Sequence, residues 1–304
     1  MAGVAACFTA VLLTLPCGGC GRKARVASSD EAFNAGWEHY RLGDYHSAAK
    51  AFELSIKMAT NDAQRVRGDF SLADTWNYRS PDRSAEKAAR YYRKVIAEDA
   101  AGEWAPWAAL ALARQKMLVA IEELPDLKVL EEGYGGVMKN YPGHEAADEA
   151  FLFLQTARLM HGDGEDVKKA VGALEAWIPE HTNSVYAGHA HGYLAQGYFR
   201  QGRGRKGIDA LIMAAELGVR QEETWVKHAN LPPNNQAHNY FRIATAAQLD
   251  AGDFDLAREY YEKMMEESPT DLRVFLAEQM MERMAAFEEE ARAELMGESM
   301  GKGE

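Results

Sequence analysis

The chain has 304 residues, of which 47% are hydrophobic and 26% are charged, and its formal net charge is −12. This hydrophobic content excludes general disorder, and the negative charge makes a general affinity for nucleic acid unfavourable. Helix-favouring residues are abundant and the sequence has no run of alternating β-branched residues. The composition therefore predicts an all-helical protein.

An uncharged, apolar segment forms residues 1–20. Its apolar run, Val4–Leu15, has the length of a signal-peptide core and is short for a membrane span. The order of residues resembles a bacterial lipoprotein signal, with Gly19 before a lipidated Cys20. However, Cys17 occupies a position that is usually aliphatic, and the basic residues follow the apolar run instead of preceding it. A cleaved ordinary signal and an uncleaved anchor are the alternatives.

All three cysteines, Cys7, Cys17 and Cys20, lie in this segment. The remaining chain therefore has no disulfide framework and no thiolate metal site, which suits an oxidising compartment without proving one. Cys17 and Cys20 also have the spacing of a redox C-x-x-C motif, which needs a helix N-terminus in a βαβ fold. No βαβ pattern follows, so the export interpretation is favoured.

A polar linker over 21–30, in which Ser29 or Asp30 is a candidate N-cap, precedes the clearest repeat unit. Ala32–Thr60 predicts two helices joined by a Gly-Asp-aromatic turn, and Phe241–Pro269 is its near-copy. Small residues would let the two helices cross closely, and an aromatic residue would fill the core between repeats. In the first unit the positions that carry this pattern are Gly36, Gly43, Asp44, Tyr45, Ala48 and Phe52. Both stretches resemble the tetratricopeptide repeat (TPR).

Weaker copies fill the chain between these two units. The predicted helix pairs are Val66–Arg79 with Arg83–Asp99, Trp104–Leu118 with Asp126–Asn140, Glu145–His161 with Glu165–Trp177, and Val185–Gln201 with Arg205–Leu217. Pro179 is expected to close the fourth pair, and Gly207 is expected at a tight crossing in the fifth. The stretch Tyr134–Phe151 resembles TPR-type bacterial envelope lipoproteins.

Two further segments follow these pairs. The region 218–236 breaks the pattern, and its Trp225 either belongs to a binding loop or seals the join between neighbouring repeats. The region 271–298 is expected to form a C-terminal capping helix, with one long amphipathic helix over Asp271–Leu295. Its predicted apolar face consists of Phe275, Leu276, Met280, Met284 and Phe287. A methionine-rich partner surface is the alternative to capping.

The resemblance implies an all-α, right-handed superhelical solenoid of about six TPR-like helix pairs over residues 31–270. In TPR geometry the first helix of each pair lines a concave groove that binds protein or peptide partners. The corresponding residues of the first unit are Phe33, Trp37, Tyr40 and Arg41, and aromatic and Arg side chains are enriched in binding hot spots. The alternative is that these aromatic residues pack against the next helix pair.

The function implied is a non-catalytic scaffold at the bacterial cell envelope, lipid-anchored and facing the periplasm, with no cofactor and no metal. One alternative is a lipoprotein of outer-membrane protein assembly. An alternative of another class is an envelope enzyme that uses His189, His191 and His228 in a groove. Two histidines two residues apart point to different faces of a helix, and a metal site needs three or four converging ligands.

Overall fold

The computed structural model describes residues 27–79, 84–117, 125–222, 236–290 and 293. Within these ranges the regular structure is helical and contains no strand. The helices follow one another as antiparallel pairs, which confirms the predicted all-α solenoid. Among the residues described, no helix is both long enough and apolar enough to cross a membrane.

The α-helices of the described ranges are numbered in chain order. Their bounds are α1 Ser29–Arg41, α2 Tyr45–Met58, α3 Asp62–Asp74, α4 Ala85–Glu98, α5 Trp104–Gln115, α6 Leu127–Asn140, α7 Glu145–His161, α8 Gly164–Glu180, α9 Ala187–Arg200, α10 Gly204–Glu222, α11 Gln236–Ala246, α12 Phe254–Glu267 and α13 Val274–Glu282. Two π-helical turns, Thr75–Arg79 and Ala247–Ala251, continue α3 and α11.

A serine cap begins α1. The Ser28 hydroxyl accepts a hydrogen bond from the Glu31 N–H at 3.2 Å, which satisfies one of the free donors of the first turn. The prediction of Ser29 or Asp30 as the cap is wrong. Ser29 is buried in the first turn, and its hydroxyl donates to the Ser55 carbonyl of α2 at 2.9 Å. This bond ties the start of α1 to the end of α2.

The turn and the crossing of the first pair follow the predicted pattern. Gly43 has φ 79°, a left-handed conformation that glycine adopts without strain, and it ends the helix. Asp44 accepts a hydrogen bond from the Ser47 N–H at 3.0 Å and caps α2. At the crossing, a Cβ on Gly36 would lie only 2.5 Å from a ring carbon of the fully buried Phe52. Only glycine fits at this approach.

The first helices of the pairs form the inner layer of the solenoid. Each helix packs on its chain neighbours, and the successive first helices α1, α3, α5, α7 and α9 also contact one another. The second helices lie mainly against the first helices on either side of them. Repeats stacked in this way bury a continuous core while each contacts only its neighbours.

Several helix bounds differ from those predicted. The helix α3 begins at Asp62, four residues before Val66, because the Asn61 side chain accepts from the Gln64 N–H at 2.9 Å and caps it there. The helix α8 runs past Pro179, which lies one residue before its end, so the proline removes one backbone hydrogen bond from the last turn without interrupting the helix. The helix α10 continues through Leu217 to Glu222.

The C-terminal helix is not the single straight helix that was predicted. It is interrupted at Arg283, and the helical residues resume at 284–290. Met284 is 2% exposed, whereas Phe275 and Leu276 are 62% and 46% exposed. The prediction that these residues share one face is therefore wrong. The side that packs on the solenoid is instead the one that carries Ala277, Met280 and Met284, at helical spacing on both sides of Arg283.

Candidate functional site

The residues of α1 that were assigned to partner binding form a stripe that passes from the core to the solvent. They are Phe33, Trp37, Tyr40 and Arg41. Phe33 is 9% exposed, and its ring centroid lies 5.8 Å from that of Phe52. Trp37 and Tyr40 are half-buried, and Arg41 is exposed, with an ion pair to Glu38 on its own helix. What this end of the inner layer offers a partner is therefore the rims of Trp37 and Tyr40 and the guanidinium of Arg41. Their role in binding stays a prediction.

Edge-to-face contacts hold these aromatic rings in place. The Trp37 ring lies 5.1 Å from Tyr40 and 5.7 Å from Phe52, and Tyr40 lies 5.3 Å from Tyr45, all in T-shaped arrangements. Such pairs add about 0.5–1.5 kcal/mol each beyond their buried area. The Trp37 Nε1–H is buried without an acceptor among the residues described. The aromatic stripe is thus rigid, and it contains a polar group that the fold leaves unsatisfied.

Polar contacts connect successive first helices along the inner layer. Arg67 of α3 pairs with Asp30 of α1, and its guanidinium lies 4.5 Å from the centroid of the Phe33 ring. Further along, the Gln115 amide of α5 donates to the Asn77 carbonyl oxygen at 2.8 Å. The Arg67 guanidinium covers Phe33 from the side of the second pair. These contacts fix the spacing of the inner helices, which sets the width of any groove there.

A carboxylic acid lies beneath this layer. Asp74, the last residue of α3, accepts a hydrogen bond from the Tyr92 hydroxyl of α4. Burial raises the pKa of Asp74 to about 6, an effect that the Tyr92 bond and the nearby Arg114 oppose. Arg114 also lies 4.7 Å from the centroid of the Phe153 ring on α7. Through these contacts Asp74 and Arg114 connect α3, α4, α5 and α7, which is typical of residues that stabilise the fold.

The outer side of the solenoid has a groove that sequence reasoning missed. It has a volume of about 600 Å³ and lies between α4 and α6, with α5 as its floor. Six of its lining residues are small: Ala85, Ala89, Ala109, Ala113, Gly133 and Gly136. The one sequence signal is a set of three glycines within α6, at 133, 135 and 136, because glycine is unfavourable inside a helix.

The histidines of the enzyme alternative are only partly described. His189 and His191 lie on α9, half-buried, and burial lowers the pKa of His191. The nearby Tyr186 hydroxyl donates to the buried Glu149 carboxylate at 3.1 Å, and burial raises the pKa of that tyrosine. Within the described ranges, no three His, Cys, Asp or Glu side chains converge to hold a metal ion. His228 lies outside the described residues.

Three other predictions also concern residues outside the described ranges. They are the lipidation of Cys20, the signal segment 1–20 and the binding loop around Trp225. The structure gives no information on them, and they stay predictions.

Comparison with known proteins decides the nature of the two terminal units. The family model described as "Tetratricopeptide repeat" matches residues 32–62 and 237–271. The chain contains TPR repeats. The first match covers α1 and α2 and the second covers α11 and α12, so both lie on the units that the sequence pattern selected. A search of curated proteins found no match.

One of the similar solved structures supports the fold. A chain in the crystal structure of the APC/C hetero-tetramer Cut9–Hcn1 is similar over 84% of this protein, with 14% identity and a TM-score of 0.51. The match spans 43% of that longer chain. The assembly chaperone of RpL4, Acl4 (residues 1–338), matches over 91% of this protein and 100% of its own chain, with 15% identity and a TM-score of 0.46. At these identities the likeness concerns the solenoid architecture alone.

Proposed function

We propose that this protein is a non-catalytic TPR scaffold that binds a protein or peptide partner along the inner layer of its solenoid. The observation that carries the proposal is the stripe of α1 in which the half-buried Trp37 and Tyr40 lie next to the exposed Arg41. It lies on the first of the described helices that make up the inner layer. Aromatic and Arg side chains held in fixed positions can contribute binding energy at a low entropic cost.

The fixed geometry of the inner layer supports this role. The pair Arg67–Asp30 and the bond from Gln115 to Asn77 hold α1, α3 and α5 at set distances before any partner arrives. A preorganised surface loses less conformational entropy on binding.

The proposed place of action is the bacterial cell envelope, with a lipid on Cys20 as the anchor and the solenoid facing the periplasm. Support comes only from the apolar segment 1–20 and its terminal cysteine. Metabolic labelling with a radioactive fatty acid tests the anchor. We expect the wild-type chain to be labelled and Cys20→Ser to be unlabelled, and a labelled Cys20→Ser chain would contradict the proposal.

Site-specific photocrosslinking tests the inner-layer site. A photoreactive amino acid at Arg41 is compared with one at Glu53, which is equally solvent-facing but lies on the outer side of α2. Crosslinking in the native cell envelope followed by mass spectrometry should recover a defined partner from position 41 and not from position 53. Equal products from both positions, or none from position 41, would refute partner binding at this stripe.

A further inference from the structure

The groove on the outer side of the solenoid is bounded by three helices. The second helices α4 and α6 of neighbouring pairs form its walls, and the first helix α5 forms its floor. Half-buried Ile96, Ala109 and Leu112 leave apolar surface open along the floor and one wall. A wall helix of 14 residues is about 21 Å long. The lining follows this helix from Ala85 to Ile96, which is about 17 Å or three helical turns, on the outer side of the solenoid.

Small residues make the groove suited to a helix. The alanines of α4 and α5 and the glycines of α6 leave the backbones exposed to close approach. A Cβ on Gly133 would lie 3.4 Å from the Ala113 Cβ, an ordinary van der Waals contact. A Cβ on Gly136 would meet no atom within 4 Å. Gly136 thus keeps the groove open although the fold has room for a side chain there.

Two cations of the lining lack ionic partners. Arg93 of α4 and Lys116 at the end of α5 have no salt bridge or side-chain hydrogen bond to the residues that the structure describes. In contrast, Lys94 on the same wall pairs with Asp69 at 2.6 Å. Glu86 also lines the groove and is its one carboxylate. In a chain with a net charge of −12, this pair of unpaired cations beside apolar surface favours an acidic occupant.

We propose that this groove binds an acidic amphipathic helix of a partner protein. The apolar stripe of the helix would lie on Leu112 and Ile96, and two of its carboxylates would pair with Arg93 and Lys116. Lys116 lies near the Ala85 end of the groove, since the adjacent Gln115 donates to the Ala85 carbonyl at 3.2 Å. The distance from Ala85 to Arg93 along the axis of α4 is about 12 Å. Glutamates at positions i and i+7 of the partner helix match this separation.

The probe for this site is a synthetic helical peptide with a Leu/Ala stripe and glutamates at i and i+7, labelled with a fluorophore. A second peptide carries lysines at the same two positions. Fluorescence anisotropy with the full chain should show micromolar binding of the glutamate peptide and at least tenfold weaker binding of the lysine peptide. Binding of both peptides with equal affinity, or of neither, would overturn the proposal.

Matched variants locate the binding. Gly136→Leu fills the groove and should weaken binding at least tenfold, whereas Gly135→Leu, on the same helix with open space but outside the lining, should not change it. Arg93→Glu should weaken binding about threefold to tenfold, and Lys139→Glu, an equal charge change outside the lining, should have little effect. Circular dichroism confirms that each variant is folded.

The remaining outcomes also decide the question. If Gly135→Leu weakens binding as much as Gly136→Leu, the peptide does not occupy the groove and the proposal fails. If the protein self-associates and Gly136→Leu makes it monomeric, the occupant is a second copy of this chain and not an acidic partner helix. Sedimentation velocity of the wild type and of Gly136→Leu distinguishes this case.

Discussion

Replacing Asp74 with Asn should stabilise the N-terminal repeats near neutral pH. Burial between α3 and α5 raises the pKa of Asp74 to about 6 from an ordinary value of 3.8, although the Tyr92 hydrogen bond and Arg114 favour the charged form. The folded state therefore binds this proton more tightly than the unfolded state. Binding of this proton therefore stabilises the folded state at low pH, and this stabilisation is lost as the pH rises through 6. Asn keeps an acceptor for Tyr92 without a charge.

The size of the effect follows from the difference between the two pKa values. This difference corresponds to about 3 kcal/mol, because each pKa unit is equivalent to about 1.4 kcal/mol. Asp74 keeps part of its surface in contact with solvent, so screening reduces the expected gain to about 1–2 kcal/mol. At pH 7.5 the free energy of unfolding of Asp74→Asn should exceed that of the wild type by this amount. Near pH 4, where the wild-type carboxyl is protonated, the two should be equal.

Amide hydrogen exchange read by mass spectrometry suits this measurement, because a solenoid opens repeat by repeat. Peptides from α3 and α4 of Asp74→Asn should exchange more slowly than those of the wild type at pH 7.5, with the difference vanishing towards pH 4. Asp250→Asn, at an exposed aspartate, is the control and should show no such dependence. A difference that does not vary with pH, or a destabilised Asp74→Asn at pH 7.5, would refute the reasoning.

Substitutions in and around α1 distinguish its packing side from its exposed side in thermal denaturation. Gly36→Ala would force a Cβ to 2.5 Å from the Phe52 ring and should cost about 1–3 kcal/mol, so an unchanged melting temperature would contradict the close crossing. Phe33→Ala removes a buried ring and should lower the free energy of unfolding by about 3 kcal/mol. An unchanged stability would instead favour a position of this ring in the groove. The free energy of unfolding of Arg41→Glu should stay within about 0.5 kcal/mol of the wild-type value. A larger loss would show that the ion pair with Glu38 stabilises the fold.

The sequence predicted best where local chemistry alone determines the backbone. Gly43 and Gly252 both adopt positive φ, at 79° and 62°, in the two Gly-Asp-aromatic turns. The aspartate after each glycine caps the next helix through its side chain. Such positions tolerate few residue types, so the pattern is visible without knowledge of the fold. The same reasoning explains why the two family matches lie on these two units.

The sequence predicted less well where contacts with neighbouring repeats determine which side chains are buried. The repeat register assigned Phe33 to the groove face together with Trp37, but Arg67 and Phe52 cover it from two other helices. Helical periodicity placed Phe275 on the buried face, but the side that packs on the solenoid is the one that carries Ala277, Met280 and Met284, and Phe275 stays 62% exposed. Both errors arise because a sequence pattern defines the face of an isolated helix and not what packs on it.

The outer groove was beyond sequence reasoning for a related reason. Its lining comes from three helices, and each contributes residues that are ordinary by themselves. Ala89 and Ala113 are typical helix residues, and only Gly133 and Gly136 are unusual inside a helix. Even that signal is ambiguous, since Gly135 has the same open space and does not border the groove. Assigning the surface required the relative positions of α4 and α6.

The two proposed surfaces can be tested separately because the helices between them are fixed. The inner layer is held by contacts such as Arg67 to Asp30 and Gln115 to Asn77, which join first helices side by side. The outer groove uses the opposite side of α5 and the walls α4 and α6. Substitution of a residue that borders one surface only, such as Arg41 or Gly136, should alter one binding event and leave the other intact. Asn77 has no such selectivity, because its partner Gln115 lies in the inner layer and also borders the groove.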